Sequence, residues 1–171
     1  MGVRLYDGND ASLEWREYIE APLTTALVAG EIYQASMWVS LADTSYFATD
    51  SIGMYFSNGQ IGPLNVTNAL PYSPQVTNPT NNYLVDKDNW VLISGTFTAL
   101  GGENSVVIGN FLDTANTSSI IQGTGSLGFA YVFIDDIELV LTSTVPVPAA
   151  VWLFGSGLFS LLLFVKVKRN N

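Results

Sequence analysis

The chain has 171 residues, 48% of them hydrophobic, with no cysteine, no histidine and a net charge of −9. That composition excludes a disulfide framework, thiol or imidazole metal sites, and Ser-His-Asp or Cys-His catalysis. All 15 acidic residues precede Val145, against only Arg4, Arg16 and Lys87, so residues 1–144 carry −12 and the tail +3. An acidic domain repels nucleic acid, whose affinity for protein rests largely on Lys/Arg–phosphate contacts, so no nucleic-acid partner is expected.

Residues 1–20 hold neither a basic segment nor a 7–15-residue apolar stretch, so no secretory signal peptide is read there. Position 6 is Tyr, which also excludes a myristoylation signal. From Glu31 to Leu41, the residues Tyr33, Ala35, Met37, Val39 and Leu41 alternate with Gln34, Ser36, Trp38 and Ser40, the period of a strand with one buried face. Ile52, Met54 and Phe56 repeat that pattern over 52–57, and Asn58-Gly59 is expected to close it with a hairpin-type turn. A loop rich in Pro, Asn and Thr (62–82) and a turn at Asp86-Lys87-Asp88-Asn89 lead to a strand from Trp90 to Ala99, with Val91, Ile93, Phe97 and Ala99 on one face. Gly101-Gly102-Glu103-Asn104 turns the chain into Ser105–Phe111, and a polar loop (113–126) precedes the longest strand, Phe129 to Leu141. Several strands at short spacing, Gly/Asn/Asp turns and no helical period before Ala149 predict an all-β fold, an antiparallel sandwich with a single core.

The tail has a different character. Val145-Pro146-Val147-Pro148 leads into 17 uncharged residues, Ala149 to Val165, and then Lys166, Lys168 and Arg169. As a helix the apolar run spans about 25 Å, near the thickness of a thin bilayer. Its large side chains go all round and leave no polar face, which favours a membrane helix over a buried core helix. The basic end would stay on the cytoplasmic side and put residues 1–144 outside. An outside domain needs an export signal, so the expectation is a chain that lacks an upstream signal peptide and a first strand. The two prolines disfavour helix for the residues before them and keep 145–148 extended and accessible.

This order of parts within residues 145–171 resembles the PEP-CTERM sorting signal of Gram-negative bacteria: a Pro-x-Pro motif, one membrane helix (149–165) and a basic end (166–169). Val147 stands where the family's name implies Glu. The resemblance implies export, an inner-membrane-anchored precursor, processing by an exosortase-type membrane protease, and delivery to the cell surface or exterior in organisms that make exopolysaccharide.

A second resemblance covers roughly 18–140. It rests on Tyr18-Ile19-Glu20, Pro22-Leu23, Ala29–Tyr33, Val39–Asp43, Ser45–Ala48, Trp90–Ala99, Gly101-Gly102-Glu103, Ile108–Phe111 and Ile134-Asp135-Asp136-Ile137. These segments are similar to secreted bacterial jelly-roll domains of the carbohydrate-binding-module and galactose-binding-like kind. They imply an antiparallel jelly-roll β-sandwich, and they point to fold more than to ligand, since most are core and turn positions.

Few residues carry chemistry. Glu103 follows two glycines and reads as a solvated turn residue ahead of a general acid. Asp135 and Asp136 are adjacent on a strand, so one is aimed at the core unless a bulge intervenes. A buried carboxylate must be paired, bonded to backbone N–H groups or bound to a cation, and oxygen ligands suit Ca²⁺. The jelly-roll resemblance implies a structural Ca²⁺ at one of the two. Sugar rings stack on exposed aromatics. Trp38 and Tyr55, on the otherwise polar faces of their strands, are candidates to line one concave sheet, or else to pack under the loops 62–82 and 113–126. Trp90 reads as a core anchor. Asn65-Val66-Thr67 and Asn116-Thr117-Ser118 fit the glycosylation pattern and read as loop polarity.

The function expected is that of a non-catalytic exported surface or matrix protein, sorted by an exosortase and linked to exopolysaccharide or biofilm. The alternative is a carbohydrate-binding module. An exposed row of two or three aromatics flanked by Asp, Asn or Gln favours the module, and a flat Ser/Thr sheet favours the structural role. A hydrolase needs two carboxylates facing each other about 5–9 Å apart.

Overall fold

A computed structural model describes residues 1–8, 14–62, 68–123 and 125–142. The Pro-x-Pro motif at 145–148, the expected helix 149–165, the basic residues that follow, and Asn65-Val66-Thr67 lie outside the described residues. Among the described residues no helix is long and apolar enough to cross a membrane.

Among the described residues ten strands form: β1 Gly2–Asp7, β2 Ile19–Pro22, β3 Ile32–Leu41, β4 Phe47–Thr49, β5 Gly53–Ser57, β6 Val76–Thr77, β7 Val91–Thr98, β8 Ser105–Gly109, β9 Ser119–Ile121 and β10 Phe129–Leu141. One four-stranded sheet has the order β1-β10-β3-β7, the other β2-β8-β5-β6, and β4 pairs with β9 in a small third sheet. Every named strand pair is antiparallel. The chain therefore passes repeatedly from one large sheet to the other, the winding of a jelly roll.

The strand period sets which residues meet between the sheets. Val3 and Leu5 of β1, the odd-numbered residues 33–41 of β3, Ile93 of β7 and Val132 and Ile134 of β10 form one buried cluster with Met54 and Phe56 of β5 and Val106 and Ile108 of β8. Phe56 and Phe97 stack across the gap with ring centroids 4.6 Å apart. Each large side chain buried this way is stabilising by about 1.5–3 kcal/mol relative to exposure, so this cluster is the main force joining the sheets.

Several sequence expectations change here. Gly2–Asp7, where no strand is read from the sequence, forms β1 and pairs with Phe129–Phe133 of β10. Asn58-Gly59 does not close a tight hairpin: β5 and β6 do pair, Gly53 with Thr77 and Met54 with Val76, but residues 58–75 lie between them. The turn is real: Gly59 has φ +88° and donates its N–H to Asn104 Oδ1 at 2.7 Å. Gly53 admits Pro74 onto β5, since a Cβ there would lie 2.7 Å from Pro74 Cγ.

Glu103 is buried rather than solvated. Its carboxylate accepts the N–H groups of Leu100 and Gly101, both at 2.8 Å, and so closes the β7–β8 turn from inside. Gly101 and Gly102 both have positive φ, the conformation glycine adopts without steric cost. Replacing Glu103 with Ala strands two backbone donors. The expected loss is about 1–3 kcal/mol of stability, read as a fall of several degrees in Tm by circular dichroism; an unmoved Tm would show that water replaces the carboxylate freely.

Candidate functional site

The outward faces of the two large sheets are treated differently. On the β2-β8-β5-β6 sheet, the chain covers itself. Every residue of β8 is buried, because Val107 packs outward under Leu70 and Phe111, with Tyr18, Tyr55 and Ile61 against them. Tyr55 stacks on Tyr72 of the covering loop, with ring centroids 4.7 Å apart and planes 13° from parallel. Tyr18 ties the cover down: its hydroxyl donates to the Asn110 carbonyl at 2.6 Å and accepts the Leu70 N–H at 3.0 Å. Burial pushes the Tyr18 phenol above its ordinary pKa. Tyr55 thus occupies the packed position under the loop 62–82, not an open sheet.

The β1-β10-β3-β7 sheet leaves its outward face bare. Leu92, Trp38 and Asp135 form one cross-strand row, and Phe133 sits opposite Ser40 in the next. Trp90, one residue ahead of β7, shares the side of Leu92 by strand alternation. Exposure is 38% for Trp38, 45% for Trp90, 46% for Phe133 and 48% for Leu92. Trp90 is therefore a surface residue and not the core anchor read from sequence. Toward one end the aromatic character continues along β10, where Phe133 meets Tyr131 edge-on at 5.9 Å and Tyr131 meets Phe129 at 6.4 Å. Gly2 lets the Tyr131 ring lie across β1, since a Cβ there would sit 2.4 Å from Tyr131 Cε1. The Arg4 guanidinium closes that end, 4.4 Å above the Phe129 ring and 3.3 Å from Asp7 Oδ2. Toward the other end the face turns polar, with Ser36 between Glu138 and Ser94 and Gln34 next to Thr96.

Trp38 and Tyr55 consequently lie on different sheets, facing opposite ways, and do not line one surface. A platform that sequence reasoning divided between them is built instead from Trp38, Trp90 and Phe133.

Asp135 and Asp136 are both exposed. The register of β10 against β3 slips between Asp135 and Glu138, and Asp136 takes φ +45°. This bulge turns both carboxylates away from the core, and Asp135 Oδ1 accepts the Asp136 N–H at 2.9 Å. Burial therefore gives neither carboxylate a need for a cation. Among the described residues no group of three or more Asp, Glu, His or Cys is placed to hold a metal.

No family model matches the chain, and no curated protein matches it. Among solved structures it is similar to the CBM22-1 xylan-binding domain of Xyn10C from Paenibacillus barcinonensis, at 16% identity and a TM-score of 0.43, over 78% of this chain and 69% of that one.

With both carboxylates in solvent, millimolar Ca²⁺ is expected to leave Tm unmoved in a thermal melt; a rise of several degrees, lost in Asp135→Asn or Asp136→Asn, would restore the calcium site implied by the jelly-roll resemblance.

Proposed function

We propose that this chain is a non-catalytic, exported polysaccharide-binding protein, and that the bare face of the β1-β10-β3-β7 sheet is its binding surface. The observation that carries this reading is the group of half-exposed rings, Trp38, Trp90 and Phe133, spread over two adjacent cross-strand rows, with Leu92 and Asp135 flanking Trp38 on the neighbouring strands. Flat rings fixed on rigid strands suit the C–H faces of sugars, and they lose little conformational entropy on binding. Asp135, Gln34 and Ser36 supply hydrogen-bonding groups alongside, which is the combination that separates a binding module from a structural Ser/Thr sheet. A wide open face takes a length of polymer rather than a small molecule, which prefers a concave pocket.

Trp38→Ala and Trp90→Ala should each weaken retention of the full chain on insoluble or immobilised polysaccharide by about tenfold, the equivalent of about 1.4 kcal/mol. Their circular dichroism should stay that of the parent, because both rings lie on the outward face of the sheet and outside the buried cluster. Equal retention by the double variant would end the platform reading.

A second reading, compatible with the first, rests on the tail. Val145-Pro146-Val147-Pro148, the uncharged run 149–165, and Lys166, Lys168 and Arg169 support anchoring in the inner membrane and sorting to the cell surface by an exosortase-type protease. The polysaccharide bound would then be one made by the same cell, as in an exopolysaccharide matrix. Pro146→Ala combined with Pro148→Ala, in a secreted form carrying a signal peptide, should block removal of the tail, seen as a heavier band on a gel; normal processing would count against the sorting reading.

A further inference from the structure

On the other side of the sandwich, the cover of the β2-β8-β5-β6 sheet does not close completely. A pocket of about 370 Å³ opens between the loop after Leu70 and the segment that follows β8. Tyr72 and Pro74 form one apolar wall and Phe111 and Leu112 another, with Gly53 between them on β5. The Tyr72 ring is stacked on Tyr55 and is thereby held in place.

The polar lining falls into two groups. Asp50, Asn78 and Asn110 are buried, and their side chains are consumed in building the walls. Asp50 accepts the Ser51 hydroxyl at 3.0 Å and the Asn81 N–H at 2.7 Å. Asn78 donates to the carbonyls of Asp50 at 2.7 Å and Asn82 at 2.8 Å. Asn110 donates to the Leu5 carbonyl and the Thr117 hydroxyl, both at 2.9 Å, and accepts the Leu112 N–H at 2.9 Å. The Asn116 side chain donates its amide nitrogen to Asp113 Oδ1 at 2.8 Å, and its carbonyl oxygen has no donor among the described residues. The hydroxyls of Thr77 and Thr80 likewise have no partner among the described residues.

The one charge in this lining, Asp50, is buried and bonded to two neutral donors of the protein, and what the lining otherwise offers a ligand is a ring wall and neutral hydroxyl and amide groups. We infer that the pocket binds a neutral sugar, one end or side branch of a glycan, independently of the aromatic platform. Its volume is near the lower end of ligand pockets, about 300–1,000 Å³, which excludes a stretch of polymer. A uronic acid finds no cation here and meets the buried Asp50 carboxylate. The pocket walls are rigid because three buried side chains brace them, so binding orders little.

The test uses the full chain in a sugar-free zwitterionic detergent, titrated with neutral hexoses, pentoses and their disaccharides and with glucuronic and galacturonic acid. Binding is followed by amide chemical shifts in NMR. Neutral sugars should shift the amides of Tyr72, Thr80 and Asn116, and should do so equally in Trp38→Ala/Trp90→Ala. Thr80→Val combined with Asn116→Ala, both at exposed positions, should weaken that binding about tenfold or more while retention on polysaccharide persists. The uronic acids should leave these amides in place. The inference is overturned if no neutral sugar shifts these amides up to about 50 mM, well above a millimolar dissociation constant, if the shifts map to Trp38 and Trp90 instead, or if the uronic acids shift them equally. Undiminished polysaccharide retention by Trp38→Ala/Trp90→Ala, with neutral sugars still shifting these amides, would end the platform reading and leave this one standing.

Discussion

The period of two along β3 is the constraint on which the rest depends. β3 lies inside its sheet with β10 on one side and β7 on the other. Tyr33, Ala35, Met37, Val39 and Leu41 must all face the opposite sheet, since a slip of one residue would put five apolar side chains into water and Trp38 into the core. That requirement fixes the register of both neighbours, and with it the rows that set Leu92, Trp38 and Asp135 side by side on the outer face. The platform is thus a by-product of core packing. The side chains that hold the sandwich together dictate where the outward rings stand, and they hold them on strands rather than on loops.

The bulge in β10 breaks this regular alternation, as a smaller shift between Arg4 and Tyr6 does in β1, and it decides the chemistry of two carboxylates. Strict alternation through Asp135 and Asp136 would direct one of them toward Met37 and Val39, at a desolvation cost no nearby cation offsets. Asp136 instead adopts a left-handed backbone, which Asp tolerates better than most residues, and the register resumes at Glu138. Both carboxylates reach solvent. Leu139 is then returned to the core side, where it packs against the main cluster.

How far the sequence revealed this depended on the length of the periodic signal. β3, β5, β7 and β10 show apolar residues in alternation and are legible, and β8, a continuous Val106-Val107-Ile108 run, is legible from the Gly101–Asn104 turn before it. β1 shows only Val3 and Leu5, and β6 is two residues long, too short for any period to declare itself. The site was half legible for a related reason. Trp38 stands inside a long alternating run, so its outward direction followed from its neighbours. Trp90 precedes the first paired residue of β7, and nothing local separates a strand-opening core residue from a surface one. Tyr55 alternates outward as expected, but its fate is decided by Leu70 and Tyr72, in a loop without periodicity. Glu103 read as a turn residue because two glycines precede it. Its burial follows from the chain folding back so that Leu100 and Gly101 present their N–H groups to it, a contact no spacing rule encodes.

The two outward faces pose the same problem in opposite ways. Apolar surface on a sheet must be covered by the chain itself, by another molecule, or left in water at a cost that grows with area. On one sheet the chain spends a long loop and three aromatic residues on covering Val107 and Tyr55. On the other it places Trp38, Trp90, Leu92 and Phe133 in the open and covers none of them completely. A bare aromatic face attracts two kinds of occupant, a second copy of the same protein or a ligand with apolar faces of its own. Electrostatics discriminates between them. The domain carries −12 at neutral pH, and Asp135, Asp136 and Glu138 stand exposed beside the rings, so a second copy brought onto this face meets like charge at short range. A neutral glycan, the occupant proposed for this face, would meet none of that repulsion and would find hydrogen-bonding partners in the same carboxylates.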